Sequence, residues 1–200
     1  MKYLIPFVFP FLFIACGSDE ESEDKSLSQE EEEITIASDE LEQERKSPRI
    51  QKSVQKNGMD ISFDYGSPRV KNRTIWGDLV PYDQVWRAGA DEVSTVTFGN
   101  DVLVGGTLVE AGTYGMFIIP KEKEDWVFIL NREWSHEEHG VWGAFDYKEE
   151  QDVVRIEVEA LSRDKNEEGL NYGYDTDKGV LLFWWEKIIL EIPVSPAEPA

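Results

Sequence analysis

The sequence predicts an all-β fold, an antiparallel β-sandwich or flattened barrel of about nine or ten short strands. Three observations carry this. Apolar and polar residues alternate in short runs, as where Ile61, Phe63 and Tyr65 interleave with Asp60, Ser62 and Asp64, which is the period of a half-buried strand. Turn signals such as Gly66-Ser67-Pro68, Gly99-Asn100-Asp101 and Gly105-Gly106 fall between the runs. No long helical period appears beyond residue 46, so no βαβ rhythm is present to build a parallel sheet.

The elements follow in order from the N-terminus. Lys2 gives a positive start, and Tyr3 to Ile14 is an apolar run interrupted by Pro6 and Pro10. It is too short to cross a membrane and fits the apolar part of a secretory signal over residues 1–15. The run ends Phe13-Ile14-Ala15-Cys16. This resembles the lipobox of bacterial lipoproteins, in which a cysteine after a small residue is lipidated and becomes the new N-terminus. Ala15 matches the pattern, and Phe13 departs from the usual Leu. The bland alternative is a plain secretory signal with an incidental thiol. Cys16 is the one cysteine of the chain, so no intramolecular disulfide supports the fold.

Residues 16–46 form the lipidated terminus and an acidic tether. Between Gly17 and Lys46 there are thirteen acids against three bases. Such a segment has too little apolar area to offset ordering entropy and self-repels into an extended chain. Its start, Gly17-Ser18-Asp19-Glu20-Glu21, resembles the export signal of surface-displayed bacterial lipoproteins. The implied location is the cell envelope, on an outer membrane lipoprotein exposed at the surface. The alternative is a plain acidic linker facing the periplasm.

The folded domain is expected over residues 47–194. Strands are read at Met59 to Tyr65, Val93 to Phe98, Val102 to Val104, Thr107 to Val109, Thr113 to Ile119, Trp126 to Asn131 and Asp152 to Ala160. Gly105-Gly106 is a two-residue hairpin signal. Arg69 to Leu79 is basic, then apolar. Leu161 to Gly169 is read as a charged loop and Leu170 to Tyr174 as a weak strand. Val180 to Trp185 is apolar throughout, as in a central strand, and Lys187 to Ile192 alternates up to Pro193. Residues 195–200 are read as a frayed tail.

The rest of the chain is organised around Pro81 to Glu92. This non-periodic segment joins Tyr82, Trp86, Arg87, Asp91 and Glu92, with Gly89 for a tight bend. Aromatic and charged residues on a loop between strands carry function more often than strands do. The candidate ligand-binding residues are Trp86, Arg87, Asp91, Glu92, Tyr82 and Trp76. Their structural alternative is plain: indoles as core anchors, and Arg87 as a buried partner of Asp83, Asp91 or Glu92.

Several motifs, taken together, resemble the bacterial family known as domain of unknown function 2911. They include Asp64-Tyr65-Gly66-Ser67-Pro68, Ile75-Trp76-Gly77-Asp78-Leu79, Val85-Trp86-Arg87-Ala88-Gly89-Ala90-Asp91-Glu92, Ala111-Gly112-Thr113-Tyr114, Trp142-Gly143-Ala144-Phe145 and Trp185-Glu186-Lys187. The resemblance spans about residues 47–194. It implies an exported β-rich domain and no particular activity. Ser135 to Val141, which holds both histidines, looks like sequence added beside the family pattern.

Other chemistry is thinly supported. His136 and His139, with Glu133, Glu137 and Glu138, are a weak metal-site candidate, since His at i and i+3 can share a helix face. The spacing is not that of the zinc metalloproteases, and a solvated polar loop is the favoured reading of the cluster. No cofactor is implied. No Gly-x-Ser-x-Gly elbow is present. A pair of carboxylates from separate strands would leave no mark in the sequence. The formal charge of −21 argues against nucleic acid as a partner, and no local basic patch is apparent. The expected function is therefore a lipid-anchored binding module for a glycan, a peptide or an envelope partner, with no enzymatic activity required. A carboxylate-based hydrolase and a structural envelope component are the alternatives.

Overall fold

A computed structural model describes residues 46–56 and 58–197. The signal segment 1–15, Cys16 and the tether through residue 45 lie outside the described residues, as do residues 198–200. The fold is an antiparallel β-sandwich of ten strands in two open sheets.

The larger sheet has six strands. Its spatial order is β1 (Arg49–Lys56), β2 (Met59–Gly66), β3 (Ala90–Phe98), β6 (Gly112–Ile119), β7 (Trp126–Asn131) and β8 (Asp152–Val158). The smaller sheet runs β5 (Thr107–Val109), β4 (Val102–Val104), β10 (Val180–Pro196), β9 (Leu161–Asp175). Between β4 and β5 the turn is Gly105-Gly106, both at positive φ, as a two-residue hairpin of this twist requires.

The core lies between the sheets. Ile61, Phe63 and Tyr65 of β2, Met116 and Ile118 of β6, and Phe128 and Leu130 of β7 meet Tyr172 of β9 and Leu181, Phe183 and Trp185 of β10. A second, smaller cluster forms on the outer face of the six-stranded sheet, where Phe117, Ile119 and Ile129 pack with Val93 and Val141. The segment after β7 covers that face with Trp134 and Tyr147. This explains why β6 is apolar at consecutive positions: both of its faces are buried.

Arg49–Lys56, for which the sequence predicts no element, is a strand, although it carries no apolar alternation. It is an edge strand whose side chains mostly face water, so periodicity gave no sign of it. Leu161 to Gly169 is not a loop but the first half of β9, paired with Ile189, Ile188 and Glu186 of β10 across two register shifts. It too lies at an edge, and its charges are solvated. Ser195 and Pro196, expected in a frayed tail, instead pair with Leu103 and Val102.

The register shifts matter for function. Where β9 bulges away from β10, its backbone takes up the segment after β2 instead. Val70 N–H donates to the Glu168 carbonyl at 2.8 Å and Leu170 N–H to the Pro68 carbonyl at 3.1 Å. That fixes the basic run Arg69 to Arg73 beside the end of the sandwich where residues 81–92 lie.

Candidate functional site

Residues 81–92 are held by the strands around them. Trp86 exchanges backbone hydrogen bonds with Ile118 of β6, at 2.8 and 2.9 Å. Asp83 N–H donates to the Pro120 carbonyl, and the Lys121 ammonium reaches the Asp83 carboxylate at 2.7 Å. That bond holds the Lys121 ammonium above its usual pKa range. Ala88 sits at φ 52°, in the left-handed region. Its carbonyl is clamped twice, by the Tyr172 hydroxyl at 2.7 Å and the Ser94 hydroxyl at 3.0 Å. Burial first, and Tyr65 second, push the Tyr172 phenol well above its ordinary value, so it stays a proton donor.

Gly89 serves a different purpose from the bend expected of it. A Cβ there would lie 2.2 Å from the Ser94 Oγ. The glycine permits the close approach of the segment to β3, while the left-handed residues are Asp83, Ala88 and Asp91.

The clamped Ala88 presents Arg87. Its side chain is half-buried, and its Nε has no hydrogen-bond partner. Among the described residues the guanidinium makes no ion pair with Asp83, Asp91, Glu92 or any other carboxylate. Gly143 lies against it, where a Cβ would be 3.3 Å from the Arg87 Cδ. Beside it the Trp86 ring stacks on Trp185 (centroids 5.8 Å apart, 23° between planes) and meets Trp76 edge-on at 6.0 Å. The Trp185 side chain is fully buried, and its indole N–H also lacks a partner.

Arg87, Trp86, Trp185 and Asp91 line one cleft of about 380 Å³. Lys46, Arg69, Lys71 and Arg73 line it too. The sequence showed no basic patch; the fold makes one, by pairing the segment after β2 with β9. A larger and more open depression of about 500 Å³ lies over the outer face of β1, β2, β3 and β6. Its Thr97 and Thr113 hydroxyls bond each other at 2.9 Å, and it holds none of the three buried unpartnered polar atoms among the described residues. The smaller cleft is therefore the candidate site.

Residues 47–194 match the family of proteins of unknown function DUF2911. The chain belongs to the DUF2911 family. No curated protein and no solved structure matches it.

In this DUF2911 protein the six candidate residues divide among three places. Trp86, Arg87 and Asp91 share the cleft. Trp76 and Tyr82 line a separate depression with Lys121 and Glu159, and Trp76 serves as a ring plug, 4.6 Å edge-on from Trp126 and 5.6 Å from Trp185. Glu92 lies in a third, pairing with Arg49 at 3.1 Å beside Trp134 and Trp142. Asp91 and Glu92 part where β3 bulges: Asp91 is left-handed at φ 63°, and the pairing with β2 shifts register between Ala90 and Thr95.

His136 and His139 stand on a single helical turn, α1 (His136–His139). His139 Nδ1 accepts the N–H groups of Trp134 and Ser135 at 3.2 and 3.1 Å. His136 instead packs on the Trp142 ring at 4.1 Å. Among the described residues no group of three His, Cys, Asp or Glu is placed to hold a metal ion. The sequence reading missed Arg69, Lys71, Arg73 and Trp185. The basic run itself was visible; its meeting with Arg87 was not.

Proposed function

We propose that this protein is a ligand-binding module of the bacterial cell envelope, lipid-anchored through Cys16 and displayed at the surface on its acidic tether. Its ligand, part of a glycan, peptide or envelope partner, occupies the cleft of Trp86, Arg87 and Asp91. One observation carries this reading: a half-buried guanidinium with no protein partner among the described residues, in a cleft that Trp86 also lines. A buried donor left without an acceptor costs about 1–3 kcal/mol, and folds rarely keep such a group unless something else uses it. A purely structural Arg87 would have satisfied partners. A two-carboxylate hydrolase finds only Asp91 among the cleft residues, where that chemistry needs a pair.

The test is a glycan and peptide array probed with the full mature chain and with its Arg87→Ala variant. The reading expects at least one ligand that the variant loses while its thermal unfolding stays cooperative. If every bound ligand is retained by the folded variant, the cleft is not the site. For the anchor, labelled palmitate should enter the wild type and not Cys16→Ser, and protease added to intact cells should remove the domain. Label-free protein, or a protected domain, would overturn the anchor or the display respectively.

A further inference from the structure

The binding reading leaves the chemistry of the ligand open, and the cleft narrows it. We infer that the group bound there is an oxyanion, a phosphate or a carboxylate carried on a sugar-sized ligand that lies along the Trp86 ring. The inference rests on the proposed binding role.

Charge is the first argument. The chain has twice as many acids as bases, 41 against 20. Yet five cations, Lys46, Arg69, Lys71, Arg73 and Arg87, line this one cleft with a single carboxylate, Asp91. Several cations elsewhere in the domain pair with acids, as in Lys148–Glu133, Lys178–Glu191 and Arg155–Asp152. No ion pair among the described residues involves a cation of the cleft. Arg73 donates through Nε to the Val70 carbonyl and through one terminal nitrogen to the Arg69 carbonyl, and makes no ion pair among the described residues. Arg69, Lys71 and Arg87 form no ion pair among the described residues. Beside the run, the Glu168 carboxylate accepts the Lys71 backbone N–H at 2.9 Å.

Hydrogen-bonding capacity is the second argument. Arg87 lines the cleft and makes no hydrogen bond or ion pair among the described residues, and of its nitrogens only Nε is a buried atom without a partner. Guanidinium N–H groups are donors with no acceptor capacity. Their complement must bring acceptors, and oxyanions bring several within one compact group. A guanidinium fork matches that geometry in a way a neutral hydroxyl does not. A cleft of about 380 Å³ holds a sugar-sized group rather than a polymer.

The experiment titrates the full mature chain with inorganic phosphate, glucose 6-phosphate, glucuronate and glucose, by calorimetry at low and at raised salt. The anions should bind, and glucose should bind at least about tenfold more weakly, the scale of one charge-assisted hydrogen bond. Glucose 6-phosphate should exceed inorganic phosphate if the ring lies on Trp86. Arg87→Gln should weaken the anions by about tenfold or more, and raised salt should weaken them further. Asp91→Asn should tighten them, and Asn tolerates the left-handed backbone of that position. The same titrations on a chain with Glu30, Glu31, Glu32 and Glu33 changed to Gln test whether the acidic run of the chain lowers anion affinity.

Equal binding of glucose and the anions would overturn the inference, as would anion binding unchanged in Arg87→Gln. Absence of anion binding in both chains would overturn it as well. A neutral array ligand lost in Arg87→Ala would then leave the binding role standing while the anion fails. An array without any such ligand would remove both.

Discussion

Two arginines near the same end of β3 are held in opposite ways. Arg49, at the start of β1, donates through Nε to Asp64 and through its NH1 to Glu92 at 3.1 Å. Arg87, a few residues before β3 begins, has a buried Nε with no partner. Both are partly covered guanidinium groups in a strongly acidic chain. The first has recruited carboxylates from β2 and β3 and closes a corner of the sheet. The second has carboxylates nearby in sequence, at Asp83, Asp91 and Glu92, and pairs with none of them. Asp83 is taken by Lys121, and Glu92 by Arg49. The lesson is that a charged side chain's role follows from what has been withheld from it as much as from what it touches.

The largest effect on this contrast should come from removing the support of Arg87. Gly89→Ala sets a methyl group 2.2 Å from the Ser94 Oγ, which cannot be relieved without moving the hydroxyl that clamps Ala88. The expected loss is about 2–3 kcal/mol of unfolding free energy, read by denaturant titration. A loss below about 0.5 kcal/mol would mean that the segment is not anchored as described. Tyr172→Phe cuts the other half of the clamp and should cost about 1–2 kcal/mol near neutral pH.

Tyr172 also makes a pH prediction. Its folded pKa is raised above the ordinary 10.0. Above about pH 10 the unfolded chain loses a proton that the folded chain keeps, so stability falls as pH rises from there toward the folded value. Below pH 10 the group adds no slope. Burial raises Tyr147, Tyr174 and Tyr114 in the same direction. Tyr172→Phe should therefore flatten the alkaline decline in midpoint relative to wild type. Parallel declines would show that Tyr172 is not the group responsible.

Next in size is the paired arginine. Arg49→Met removes the guanidinium that pairs with Asp64 and Glu92, and should destabilise by about 1 kcal/mol, since both acids are partly solvated. Unchanged stability would make the corner a surface ornament and weaken the contrast with Arg87.

How much of this was legible in the sequence depends on which face a strand shows. Ile61, Phe63 and Tyr65 announced β2 because one side of it is core. The Gly105-Gly106 turn announced the β4–β5 hairpin. β1 and the first half of β9 gave no period, because edge strands bathed on most sides have no apolar stripe to display. For the site, Trp86, Arg87 and Asp91 were legible as an aromatic and charged break between strands. Glu92 was grouped with them only because the stretch was taken as loop throughout. Ala90 onward is strand with a bulge at Asp91, and that bulge separates Asp91 from Glu92. The basic half of the cleft depends on the backbone pairing of Val70 with Glu168 and Leu170 with Pro68, across about a hundred residues. No local pattern encodes such a contact.

The smallest expected effect is also the most diagnostic, because its sign is unusual. Most substitutions of a partly buried residue destabilise. Arg87→Met keeps the aliphatic stem that lies against Gly143 and removes a guanidinium whose Nε is buried without an acceptor. It also relieves repulsion with Arg69, Lys71 and Arg73 across the cleft. Each term favours the variant, so its unfolding free energy should rise, by about 0.5–1 kcal/mol, while Arg49→Met falls. Opposite signs for two arginines near one end of one strand would mark Arg87 as kept at the expense of stability, the pattern expected where a site is held open for a ligand. If Arg87→Met instead loses as much as Arg49→Met, the guanidinium has a structural partner in solution, and the cleft loses its strongest claim to be a binding site.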